Sequence, residues 1–98
     1  DYKVVEFLNK DIPVDEMAVS GGVVKIVEIY PNKNYEDIAK DTTDVKFVVY
    51  RRESVKAPFN AGDEVGKYEL YLNDRLVDKG SLVVRESIEG ENSIFDIF

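Results

Sequence analysis

Lys56 to Glu86 reads KAPFNAGDEVGKYELYLNDRLVDKGSLVVRE, and the reading of this stretch decides the fold. Ala61-Gly62-Asp63 is turn chemistry, after which Tyr68, Leu70 and Leu72 alternate with Lys67, Glu69 and Tyr71. A period of two marks a strand with one buried face. Asn73 and Asp74 both tolerate positive φ, so they reverse the chain into a second strand through Leu76 and Val77. Gly80 interrupts that strand and predicts a bulge or bend, and Leu82, Val83 and Val84 resume the apolar run before Arg85 and Glu86 end it. Pro58 lacks a backbone donor and suits an edge or a strand entry. The segment predicts a β-hairpin and carries no chemistry of its own.

Working outward, Val4, Val5, Phe7 and Leu8 make a first strand candidate within Asp1 to Leu8, closed by the turn Asn9-Lys10-Asp11-Ile12-Pro13. Met17 to Val19 follows, ended by Ser20-Gly21-Gly22. Val23 to Tyr30 is rich in β-branched residues and reads as a strand. Tyr35 to Ala39 fits helical spacing as well, but its neighbours favour a strand. Val45 to Tyr50 places apolar side chains on both faces, as expected of a strand near the middle of a sandwich. Asp11 to Gly22 and Asp63 to Asp74, each followed by a strand, echo one another as two similar hairpins. The pattern predicts an all-β fold: one small antiparallel β-sandwich of six to eight short strands over residues 1–88, followed by a tail at 89–98.

A chain of 98 residues buries roughly 60 to 70% of its unfolded surface, enough for one modest core. Hydrophobic residues at 44% beside 34% charged describe a globular chain. No apolar run reaches the roughly 20 residues that span a bilayer, and no signal peptide is visible. The start at Asp1, without Met, suggests a piece of a longer precursor. Thirteen basic against twenty acidic residues give a net charge of −7, which repels a phosphate backbone and argues against nucleic acid.

The chain contains no Cys and no His, so disulfides, thiolate metal sites, the Ser-His-Asp arrangement and the usual zinc ligand sets are excluded. Ser54-Val55-Lys56 has the wrong spacing for a serine activated by a lysine three residues on, and Ser54 reads as an ordinary loop serine after Arg51, Arg52 and Glu53. Carboxylate pairs stand at Asp15/Glu16, Glu36/Asp37 and Asp41/Asp44, but acid/base work needs two of them facing one cleft. Asp41-Thr42-Thr43-Asp44 offers hard oxygens for calcium without the Asp-x-Asp-x-Asp-Gly frame. Tyr30, Tyr35, Tyr50, Phe59, Tyr68 and Tyr71 suit either a core with amphipathic rims or a stacking platform for sugars. No catalytic residue, no cofactor site and no metal site is expected. Ser93 could cap a helix whose apolar face is Ile94, Phe95, Ile97 and Phe98, too short to stand alone, so these four residues are expected to face a partner or membrane, or to pack back on the sandwich.

Ala57-Pro58, Gly62-Asp63-Glu64-Val65-Gly66 and Leu82-Val83-Val84, together with Val19-Ser20-Gly21-Gly22 and the strand after it, resemble the C-terminal domain of the low-molecular-weight penicillin-binding proteins that act as serine-type D-alanyl-D-alanine carboxypeptidases. The likeness covers nearly the whole chain. Asn73-Asp74 stands where an Asp-Gly turn is commoner, Gly80-Ser81 where a Pro is common, and Asn9-Lys10-Asp11 lacks the usual Gly. The resemblance implies a non-catalytic sandwich in an exported protein at the outer side of the cytoplasmic membrane. For the parent it implies a serine elsewhere that is acylated by the stem peptide with release of D-alanine, the adduct then being hydrolysed by water. Its implied partners are the N-terminal catalytic domain of the same polypeptide, the membrane surface through an amphipathic helix begun by the tail, and other envelope proteins. An autonomous carbohydrate-binding or adhesion module is the alternative, and a coplanar row of exposed Tyr35, Tyr50 and Tyr71 would mark it.

Overall fold

The computed structural model describes residues 1–91, and its longest element is the hairpin read from the sequence. Strands β7 (Glu64–Leu72) and β8 (Arg75–Val84) pair antiparallel up to Leu72 opposite Arg75. Between them Asn73 and Asp74 sit at φ 50° and 65°. Two successive left-handed residues make the hairpin turn whose twist matches that of its strands. Aspartate bears a steric penalty there that glycine avoids. Asp74→Gly is therefore expected to raise stability by about 0.5–1 kcal/mol in urea unfolding; a lowered midpoint would contradict this account of the turn.

Gly80 introduces no bulge. Register runs evenly through Tyr68 opposite Gly80, and the shifts fall instead between Glu64 and Gly66 and between Leu70 and Tyr71. Glycine is needed because Tyr68 lies over it: a Cβ at position 80 would come within 2.8 Å of the Tyr68 hydroxyl oxygen and 2.6 Å of Asn32 Oδ1. The ring fills the place of the missing side chain.

The remaining strands are β1 (Lys3–Leu8), β2 (Asp15–Ser20), β3 (Ile26–Pro31), β4 (Tyr35–Ala39), β5 (Val45–Arg51) and β6 (Ser54–Lys56). They form two sheets, one of β1 and β4 and one of six strands in the order β5-β7-β8-β3-β2-β6. The all-β, two-sheet prediction holds. Every pair is antiparallel except β2 with β6, which run parallel over Ala18 to Ser20. β7 and β8 exceed the short strands expected; ten residues span roughly 33 Å.

Alternation sets the core. Met17, Val19, Val27, Ile29, Tyr68, Leu70, Leu82 and Val84 point from the large sheet into one cluster, where Ile29, Leu82 and Val84 are fully buried. Each such aliphatic side chain contributes about 1.5–3 kcal/mol through removal from water. Leu8, from the small sheet, and Ala57, Phe59 and Ile88, from the connecting segments, complete the cluster, while Phe7 and Tyr35 lie partly buried against it. Tyr68 stacks on Phe47 with ring centroids 5.5 Å apart, and its hydroxyl donates to Asp78 Oδ2 at 2.9 Å. Lys33 Nζ lies 3.1 Å from the other oxygen of Asp78, so this nearly buried carboxylate is both hydrogen-bonded and charge-paired.

Three local expectations change. β5 lies at the edge of the large sheet and not near its middle, with β7 its partner, because Arg52 and Glu53 carry the chain away to β2. Ser54 is a strand residue of β6 and not a loop serine. The strand expected from Val23 starts only at Ile26: Gly22 pairs with Gly90 and the Val23 amide donates to the Glu89 carbonyl at 3.2 Å, so long-range pairing takes up residues that propensity alone assigns to β3. Glu91 is tied in as well, its amide donating to the Gly21 carbonyl at 2.8 Å.

Candidate functional site

A concavity opens where one length of chain changes sheet partner. β5 follows β7 as far as Arg51 opposite Gly66, and after Arg52 and Glu53 the chain lies beside β2 as β6. Gly66 permits the close approach that ends the β5 ladder, since a Cβ there would stand 2.7 Å from the Tyr50 carbonyl oxygen. Beyond Gly66 the register shifts, β7 continues with β8 alone, and β6 diverges from it. A cleft of about 700 Å³ lies between them.

Its lining combines apolar Met17, Val55, Pro58, Phe59 and Val65 with Arg51, Arg52, Lys56 and Lys67 against Asp63 and Glu64. Four cations facing two carboxylates reverse locally the −7 charge of the chain. The carboxylates are engaged in holding the walls. Asp63 Oδ2 accepts from the Asn60 amide at 3.0 Å, and Glu64 accepts from Ser81 Oγ at 2.6 Å and lies 3.5 Å from Lys67 Nζ. The Ser81 hydrogen bond, aided by the Lys67 charge, holds Glu64 below the usual glutamate range. Arg51 Nε donates to Asp15 Oδ2 at 3.0 Å, which ties the end of β5 to β2. Arg52 and Lys56 form no ion pair with any described residue.

The aromatic candidates divide between surfaces. Tyr50 and Tyr71 both donate to Glu69 Oε1, at 2.9 and 3.0 Å, on the outer face of the large sheet, where Lys46 Nζ lies 5.6 Å from the Tyr71 ring centroid. Tyr30 donates to Glu28 there, at 3.0 Å, beneath the Arg85 guanidinium. Tyr35 belongs to the small sheet, partly buried against Phe7, and donates to Asp37 Oδ2 at 2.6 Å. That hydrogen bond, with burial second, pushes the Tyr35 hydroxyl up to about 12. Tyr35, Tyr50 and Tyr71 thus form no single row.

Neighbours along a strand point to opposite faces, which separates Asp15 from Glu16 on β2 and Glu36 from Asp37 on β4. In the loop before β5, Thr43 Oγ1 accepts from the Lys40 amide at 2.9 Å and the Asp44 amide donates to Asn73 Oδ1 at 3.0 Å. Among the described residues no three Asp or Glu side chains converge as a metal site would require. Ser54 and Lys56 lie two apart on exposed β6. Ile94, Phe95, Ile97 and Phe98 lie outside the described residues. No described helix is long and apolar enough to cross a membrane. Sequence reading missed the cleft; its one local signal is the run of three cations, Arg51, Arg52 and Lys56, within six residues.

Comparison with known proteins follows the same lines as the geometry. The family model described as penicillin-binding protein 5, C-terminal domain, matches residues 2–90. Penicillin binding protein 5 from Haemophilus influenzae superimposes with a TM-score of 0.70 at 16% identity, over 90% of this chain and 26% of that one. The D-alanyl-D-alanine carboxypeptidase DacD from Francisella tularensis gives a TM-score of 0.58 at 16% identity, over 92% of this chain and 24% of its own. The chain therefore spans about a quarter of the length of each of these two proteins. No curated protein matches the sequence. Both sheets fall within the matched residues, and the chain belongs to the family of penicillin-binding protein 5 C-terminal domains.

Proposed function

We propose that this chain is the non-catalytic C-terminal β-sandwich of a penicillin-binding, serine-type D-alanyl-D-alanine carboxypeptidase, where it acts as a spacer between the membrane surface and the catalytic domain. The family match over residues 2–90 carries the reading. The architecture supports it: a hairpin of roughly 33 Å runs through the larger of two packed sheets, a stiff element suited to fixing a distance. Peptidoglycan trimming then belongs to the catalytic domain of the same polypeptide, its first partner. The protein is exported and works at the outer side of the cytoplasmic membrane, with Ile94, Phe95, Ile97 and Phe98 meeting the membrane surface or another envelope protein.

A domain replacement tests the spacer role. Exchanging residues 1–91 in the parent for a Gly/Ser chain of equal residue count replaces a stiff element by a random coil. Turnover of a soluble D-Ala-D-Ala peptide is expected to stay within twofold, roughly, because the serine chemistry is untouched, while D-alanine release from membrane-attached peptidoglycan falls several-fold. Equal activity of both proteins on the attached substrate would refute the spacer.

A further inference from the structure

The cleft beside β6 has the parts of a peptide site. Among the described residues β6 is paired on one side only, with β2. The Ala57 amide donates to the Ser20 carbonyl at 2.9 Å, so residues 55 and 57 turn their backbone groups toward β2, and by alternation Ser54 and Lys56 turn theirs away from it. Across the cleft the first residues of β7 are bonded to β8 but have lost β5, whose register ends opposite Gly66. Two unpaired backbone edges therefore border one cleft of about 700 Å³, within the range of roughly 300–1,000 Å³ that small-ligand sites occupy. Its apolar lining accepts side chains, while Arg52 and Lys56 line the cleft without an acidic partner among the described residues.

We propose that this cleft binds an acidic peptide segment in extended form, added as a strand along β6. Main-chain hydrogen bonds go to Ser54 and Lys56, an apolar side chain rests on Phe59 and Val65, and carboxylates of the segment pair with Arg52 and Lys56. Charge selects this occupant. Elsewhere the domain is acidic and repels such a segment, whereas the cleft concentrates cations whose own carboxylate neighbours are already hydrogen-bonded to the scaffold. A neutral strand would leave Arg52 and Lys56 unused, and a basic one would be repelled. This site is independent of the spacer role and of any membrane contact.

The test is fluorescence anisotropy of the 98-residue chain with a fluorescein-labelled Glu-Val-Glu-Val-Glu peptide at low salt. Saturable binding is expected, weakened at least roughly tenfold by Arg52→Gln with Lys56→Gln and weakened again as salt is raised. The same peptide N-methylated at alternate residues, which removes one edge of donors, is expected to lose binding as well. Both substituted side chains are surface residues, so an unchanged thermal melt separates lost binding from lost fold. Absence of saturable binding, equal binding of the Lys-Val-Lys-Val-Lys peptide, or full retention by the doubly substituted chain would each overturn the proposal. So would sedimentation showing that a second copy of the chain fills the cleft.

Discussion

Tyr68→Ala is expected to lower stability by about 4 kcal/mol, the scale of aromatic-to-alanine truncations in a core. In a domain of this size that corresponds to a fall in Tm of roughly 15–30 °C. Three independent contacts meet at this ring. It is 1% exposed, it stacks on Phe47, and it covers Gly80, where no side chain exists to refill the space. Its hydroxyl also satisfies Asp78, whose side chain is 9% exposed. Tyr68→Phe keeps the packing and removes only that donor, so its cost is expected to be about 1–2 kcal/mol. Circular-dichroism melts of both variants measure the difference. A melt of Tyr68→Ala within a few degrees of the parent chain would show that the ring does not organise the core.

Stability is also expected to decline on the alkaline side, because five tyrosine hydroxyls donate to carboxylates. Tyr30, Tyr35, Tyr50 and Tyr71 are raised above their ordinary value of 10.0 chiefly by these hydrogen bonds to Glu28, Asp37 and Glu69. Tyr68 is raised chiefly by burial, then by Asp78. A proton held more tightly in the folded chain than in the unfolded one contributes stability that is complete below the unfolded value and is lost as pH rises through the folded one. The urea midpoint is therefore expected to hold up to about pH 10 and to fall between there and the Tyr35 value of about 12, with buried Tyr68 and half-buried Tyr35 contributing most. Tyr35→Phe removes one of the five protons, so this variant loses less of its stability over that interval. A midpoint independent of pH up to 12 would contradict these contacts.

The acid limb has the opposite sign. Asp11 is held low chiefly by its hydrogen bond from Arg85, Asp37 by Tyr35 and Glu64 by Ser81, so their contribution is complete above the ordinary values of 3.8 and 4.5 and is lost as pH falls through the folded ones. Asp11 and Glu64 are exposed and Asp37 is half-buried, so solvent screening keeps the share of each small.

What the sequence disclosed was local. The hairpin could be read because alternation at Tyr68, Leu70 and Leu72 and the turn at Asn73-Asp74 are properties of adjacent residues. Tyr35 to Ala39, whose own spacing fits a helix as well, was legible as a strand only through the strands around it. Partner choice was not. That β5 forms an edge depends on Arg52 and Glu53 crossing to a strand some 35 residues earlier, and β6 exists only because Ala18 to Ser20 is there to pair with it. Apolar residues on both faces of β5 therefore suggested burial that the sheet order does not supply. Gly80 looked like an interruption because its true neighbour, Tyr68, lies across the ladder.

The cleft was hidden for a related reason. Arg52, Lys56, Phe59 and Val65 converge only after Gly66 ends one ladder and β6 begins another, and no spacing in the chain announces that meeting. The resemblance to penicillin-binding carboxypeptidases, by contrast, rested on turns and strand residues that the structure places at the joints of the fold: Ala57-Pro58 at the cis peptide before the Phe59–Ile88 bridge, Gly66 at the register shift, and Leu82 to Val84 along the core. Those positions shape a scaffold and carry no nucleophile.

Labelling with a fluorescent penicillin tests most directly the claim that this domain positions chemistry performed elsewhere. The isolated 98-residue chain and the full-length parent are incubated with the reagent and resolved on a denaturing gel. A covalent band on the parent and none on the isolated chain is the predicted result. A stable acyl adduct on the chain alone would contradict it.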